Sequence, residues 1–164
     1  MAILDSTLLL EKIKQSFYYK DGNLHWINSS KGTKKDAIAG WKSKFCIQIE
    51  LHQKNYKAHR LIFLLHHGYL PTIIDHIDGN PHNNKIENLR EATQAQNLMN
   101  AKLRINNTSG HKGVSYIKKI KKWCAQADFD KKHYYLGVFD TKEEAINAAT
   151  EFRKQHFKNF YRAS

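Results

Sequence analysis

Cysteine is scarce in this chain. The two present, Cys46 and Cys124, lie far apart and neither has a CxxC partner, which argues for reduced core or surface thiols rather than zinc ligands or a disulfide. No apolar run approaches the roughly 18 residues a membrane helix needs. The opening MAILDSTLLLEKIKQSF has an early Asp and no small-residue cleavage site, so neither a membrane span nor a signal peptide is expected and a cytoplasmic location is. Internal repeats and low-complexity tracts are also missing. Acidic residues are few: 15 Asp and Glu stand against 27 Lys and Arg, a net charge of +12.

That charge is unevenly spread. Residues 1–60 carry 11 basic and 5 acidic side chains, residues 61–104 carry 4 of each, and residues 105–164 carry 12 and 6. Two basic blocks flank a neutral middle, and 164 residues are enough for one domain or two small ones. A basic field attracts polyanions because each neutralised phosphate releases condensed counterions. Nucleic acid is the expected partner. A merely soluble basic protein has the same charge, so charge alone does not decide.

Leu8, Leu9, Ile13 and Phe17 recur at helical spacing behind the possible caps Asp5, Ser6 and Thr7. Asp21-Gly22-Asn23 between aromatic residues signals a hairpin. Phe45, Ile47, Ile49 and Leu51 alternate with Cys46, Gln48 and Glu50, the period of a strand with one buried face. A helix is predicted from Ala58 to His67, with Gly68 ending it in a left-handed conformation and Pro71 stopping continuation. Thr93 to Gln96 forms a capping box that starts another helix running to about Leu103, and the polar RINNTSG that follows reads as a linker. The last block reads as three strands, GVSYIKK, KWCAQADFD and KHYYLGVF, then a helix capped by Thr141 and Glu144, with a narrow face of Ala145, Ala148, Ala149 and Phe152 suited to packing on a sheet.

After the helix at Ala58 and running through the capping box comes IIDHIDGNPHNNKIENLREATQAQN, Ile73 to Asn97, which gathers Asp, His and five Asn. Phosphodiester hydrolysis needs a base for water, a cation against the charge building on the leaving oxygen, and ligands for that cation. Asp75 and His76 supply two of these functions side by side. Their side chains point to opposite faces of a strand, but a bend at the strand end lets both approach one phosphate. Asn97 can close a metal site of hard oxygen donors, which suits Mg²⁺. The bland alternative is that these polar residues cap and turn the chain, and for Asn83 and Asn84 that reading is preferred. His59, Arg60, His66, His67 and His82 lie nearby in sequence; singly, each reads as a solvated or core side chain, with Arg60 the best candidate for touching phosphate.

The text DHIDGNPHNNKIENLREATQAQN resembles the HNH nuclease motif of phage and intron-borne homing endonucleases, with spacings of 12 from His76 to Asn88 and 9 from Asn88 to Asn97. The flanking AHRLIFLLHHGYLP extends the likeness over roughly residues 15–103. The resemblance implies a strand–strand–helix unit around one metal ion, with His76 as general base, Asp75 and Asn97 on Mg²⁺ or Mn²⁺, and Asn88 bracing the loop. Some relatives brace the motif with zinc-binding CxxC pairs; this sequence has none, and no zinc is expected. Residues 109–152 resemble the plant ethylene-response-factor (APETALA) DNA-binding domain, through GHKGVSY, KWCAQADF and YYLGVFDTKEEAINAA. In that family a three-stranded sheet enters the major groove, which admits a β-ribbon. Ser115, Tyr116, Lys118, Lys121, Trp123 and Gln126, with Tyr134, map onto its exposed face, and Val114, Ala125, Ala127, Leu136 and Val138 onto the core face. Lysines stand where the family is rich in arginine, and a point charge lacks the planar fork that reads bases.

The expectation is an α+β chain. Residues 1–103 form a nuclease domain with N-terminal hairpins and the motif at 73–103, residues 104–109 a linker, and residues 110–164 a three-stranded antiparallel sheet packed on one helix. Its expected activity is metal-dependent cleavage of double-stranded DNA to 5′-phosphate and 3′-hydroxyl ends in the host cytoplasm, with no membrane partner. The rival is a non-catalytic DNA-binding regulator. A ribonuclease fits less well, because the deep, narrow RNA major groove excludes a groove-reading sheet. Target site, one- or two-strand cutting and monomer or dimer are not legible.

Overall fold

Asp21 and Gly22 adopt positive φ of 49° and 81° and reverse the chain between β1 (Phe17–Lys20) and β2 (Asn23–Trp26), as the turn residues demand. The structure is a computed structural model that describes residues 2–30, 32–101, 103, 105–157 and 160. It divides into two compact units, Met1–Ala92 and Thr93–Ser164.

In the first unit, α1 (Ala2–Ser16) precedes the β1–β2 hairpin. Its start lies before the expected caps, since nothing in the stretch ahead of Asp5 breaks a helix. β3 (Trp41–Lys42), β4 (Ile47–Leu51) and β5 (Lys54–Lys57) form an antiparallel sheet in chain order. Ile47, Ile49 and Leu51 are buried on one face, as their alternation predicts. Phe45 departs from that pattern. The strand begins at Ile47, so Phe45 falls in the hairpin tip and is 73% exposed.

Helix α2 (Ala58–His67) ends at Gly68, whose φ of 75° lets its N–H reach the Leu64 carbonyl at 2.9 Å. Its buried side chains Leu61, Ile62 and Leu64 join Ile13, Phe17, Leu24, Ile49 and Leu89 in the core. Strands β6 (Ile73–His76) and β7 (Leu89–Ala92) pair antiparallel and bracket a polar loop that closes through a 3-10 turn at Ile86–Asn88.

The second unit opens with α3 (Gln94–Asn100), whose capping box is present in both directions. α3 stops before the expected Leu103; of the linker residues, Arg104 lies outside the described ones. β8 (Val114–Ile117), β9 (Lys122–Phe129) and β10 (Lys132–Phe139) form a three-stranded antiparallel sheet, covered by α4 (Lys142–Phe157). Ala145 and Ala149 of α4 are almost completely buried against Val114 and Ala125, because small side chains let the helix approach the sheet closely. The fold is α+β throughout.

Candidate active site

The β6–β7 register sets the site. Asp75 lies opposite Arg90, and His76 opposite Leu89. Asp75 is buried, and its Oδ2 accepts from Arg90 Nε at 2.8 Å and meets Arg90 Nη2 at 2.7 Å. A buried carboxylate needs such a countercharge.

His76, at the strand end, turns into the loop, where its Nε2 lies 2.9 Å from Asn84 Oδ1. An amide oxygen only accepts, so Nε2 is the donor in this contact. Asn84 is 1% exposed. The imidazole of His59, in the first turn of α2, lies 5.1 Å from that of His76, nearly perpendicular at 77°. Burial, the neighbouring His76, and the charges of Lys57 and Arg60 push the pKa of His59 down to about 3. A neutral ring therefore abuts His76.

Asn88 holds the loop together. Its Oδ1 accepts from the Asp78 N–H at 3.0 Å, while its Nδ2 donates to Asp78 Oδ1 at 3.0 Å and to the Asn83 carbonyl at 2.7 Å. Asp78 also accepts from the Asn80 N–H and from Asn83 Nδ2. Burial alone would raise its pKa, but these hydrogen bonds and the nearby His76 outweigh it and hold the carboxyl below its ordinary value. His82 Nε2 donates to the Ser43 carbonyl at 2.9 Å and ties the loop to the β3–β4 tip.

Asp75, His76 and Asn88 thus occupy one strand–loop–strand segment of the first unit. Asn97 stands on α3 of the second unit, its N–H on the Thr93 carbonyl at 3.0 Å. Arg60 Nη1 donates to the Pro71 and Thr72 carbonyls at 3.2 and 3.4 Å, clipping the segment that leads into β6. Among the described residues no three His, Cys, Asp or Glu side chains gather as a metal cluster. The donors the motif offers are a carboxylate and amide oxygens with no thiolate, and this set fits a hard cation that keeps most of its water.

Three contributors were missed from the sequence. Asn84 reads there as a turn residue, yet it orients His76. His59 reads as a core or solvated side chain, and its contact with His76 crosses from α2 to β6. Arg90 carries no signal except its place opposite Asp75 once the β6–β7 register is known.

In the second unit, strand alternation divides the sheet differently from the expected map. Trp123 packs with the core cluster beneath α4, Tyr116 lies against Trp123 at 5.1 Å, and Tyr134 lies against Phe152 of α4 at 4.8 Å. These three belong to the helix side. Ser115 pairs with Cys124, and Tyr135 with Gln126, so Ser115, Gln126 and the exposed Tyr135 share the open face; Val138, opposite Cys124, lies on that face rather than in the core. Lys118 and Lys121 fall in the β8–β9 turn, Lys121 at a φ of 54°.

Residues 56–99 match the HNH endonuclease family. This span runs from β5 through the β6–β7 site to α3. Protein 3.8 of Escherichia phage T7 is 40% identical over 77 residues, a match covering 44% of this chain and 64% of that protein. The chain therefore spans less than two thirds of the relative's length. No solved structure matches.

Proposed function

We propose that this chain is an HNH-type endonuclease that hydrolyses phosphodiester bonds in double-stranded DNA. The observation that carries the reading is the clamp on His76, inside the family-matched segment: Nε2 is held by the Asn84 amide oxygen on the strand that also carries the buried Asp75, and Nδ1 is the nitrogen that would act as the base.

His76 Nδ1 takes a proton from water, and the hydroxide so formed attacks phosphorus. The bond to the 3′ oxygen breaks, that oxygen takes a proton from solvent, and 5′-phosphate and 3′-hydroxyl ends result. Asn84 spares the imidazole a search among rotamers and tautomers, and Asn88 keeps the loop that carries Asn84 in shape. By the likeness to the HNH motif, Asp75 and Asn97 would be ligands of the divalent cation, Mg²⁺ or Mn²⁺. When bound, that ion supplies positive charge against the phosphate and the departing oxygen. Arg90 holds the Asp75 carboxyl aligned at the strand end. The second unit, whose likeness to the APETALA fold rests on its sequence, would grip the duplex through Ser115, Gln126 and Tyr135 on the open sheet face, with Lys118 and Lys121 on phosphates.

Supercoiled plasmid incubated with the full chain and Mg²⁺ is expected to be nicked. The nicking should vanish in EDTA and in His76→Ala. Tight duplex binding without any cleavage would favour the non-catalytic regulator instead.

A further inference from the structure

The β3–β4 hairpin tip carries a surface that the nuclease reading does not use. Its turn is locked by Ser43: the Ser43 N–H and Oγ both donate to the Cys46 carbonyl at 2.8 Å, and the Cys46 N–H returns to Ser43 Oγ at 3.2 Å. Phe45 rides on this rigid turn, 73% exposed, with Lys44 Nζ 5.4 Å from its ring centre. Lys42 is exposed beside it, and Trp41 is 46% exposed. Behind the tip, Trp41, Gln48 and Lys57 form one cross-strand row on the face opposite the buried Ile47, Ile49 and Leu51. From Ala37 to Ile49 there is no acidic residue.

Exposed apolar groups on a rigid, carboxylate-free, lysine-flanked tip match a partner that offers phosphates around a stack of flat apolar surfaces. Duplex DNA has that composition, and Phe is among the side chains that enter between base steps and partly unstack them. The hydrogen bond from His82 to the Ser43 carbonyl links the tip to the loop that carries Asn84, the partner of His76. We infer that the β3–β4 tip is a DNA wedge, with Phe45 entering the duplex beside the catalytic loop while Lys42 and Lys44 hold flanking phosphates. This inference rests on the duplex-DNA reading above, but not on cleavage.

Partial unstacking unwinds DNA, so the wedge is read by topology in EDTA, where no cleavage occurs. Closed circular plasmid is relaxed by a metal-independent type IB topoisomerase in the presence of the full chain, then deproteinised. Anisotropy of a labelled 30-base-pair duplex of mixed sequence reports affinity in parallel. The parent is expected to lower the linking number. Phe45→Ala is expected to abolish that shift while affinity changes less than about threefold, and Phe45→Trp to restore it. Lys42→Ala combined with Lys44→Ala should reduce the slope of log affinity against log salt by about 2. Binding by the parent without a linking-number change, or an unchanged shift in Phe45→Ala, overturns the wedge and leaves the nuclease reading standing. Absence of any duplex binding by the parent removes both.

Discussion

Arg90 and Asp75 face each other across the β6–β7 hairpin, and two guanidinium nitrogens converge on one carboxylate oxygen at 2.8 and 2.7 Å. The pair sits at the strand end that presents His76, so it serves both fold and site. Removing the guanidinium leaves a buried carboxylate without its countercharge. Arg90→Ala is therefore expected to lower the unfolding free energy by about 3 kcal/mol, at the low end for a broken buried pair because the Arg90 side chain is 16% exposed. Urea titration checks this. A loss below about 0.5 kcal/mol would show that the pair contributes little.

The Asn84 clamp predicts a tautomer. Long-range proton–nitrogen correlation of the His76 ring near neutral pH should show a protonated Nε2 and an unprotonated Nδ1. Asn84→Ala should mix the two tautomers and slow nicking by roughly tenfold, a modest part of the 10²–10⁴ that a positioned base contributes. A spectrum with the proton on Nδ1 in the parent would remove that nitrogen as the base.

His59 predicts a pH dependence of stability. Its folded pKa, about 3, lies below the ordinary 6.5, so between these values the unfolded chain binds a proton that the folded chain refuses. Stability falls as pH drops through that window, by at most about 1 kcal/mol per unit after allowing for partial solvent screening. Asp78 works in the same sense at lower pH. Its depressed pKa stabilises the fold above the ordinary carboxylate range, and that contribution is lost as pH falls from that range through the folded value. Thermal melts from pH 7 to 4 should decline more gently in His59→Gln than in the parent; equal slopes would count against a neutral His59.

Asn88→Ala removes three hydrogen bonds from the loop. At roughly 1 kcal/mol net for each, a loss of about 2–3 kcal/mol is expected, and amide exchange at Ile77 and Asp78 should quicken. Retained protection at those amides would mean that the loop is held elsewhere.

On the second unit, Trp123 and Gln126 should separate stability from binding. Trp123→Ala is expected to cost about 2 kcal/mol, less than a fully buried tryptophan would. Gln126→Ala, on the open face, should stay within about 0.5 kcal/mol of the parent while weakening duplex affinity. The reverse pattern would place the helix on the other side of the sheet.

Local signals in the sequence were strong wherever a residue's conformation depends on its neighbours along the chain. The Asp21-Gly22 turn, the Gly68 helix end and the capping boxes at Thr93 and Thr141 all stand where their chemistry demands. Alternation failed at both ends of its range. Phe45 fits the buried period, yet a turn held by Ser43 takes it out of the strand, and Trp123 looked like a groove-facing aromatic until the register put it under α4.

The sequence by itself determined the basic charge, the strand and helix periods, and the spacing of Asp75, His76, Asn88 and Asn97, because composition and periodicity are properties of a chain read in order. Only tertiary structure decided that Arg90 pairs with Asp75, that Asn84 holds the Nε2 side of His76 and that His59 is kept uncharged beside it. Those relationships depend on strand register, on loop closure and on burial, which exist only after distant segments have packed.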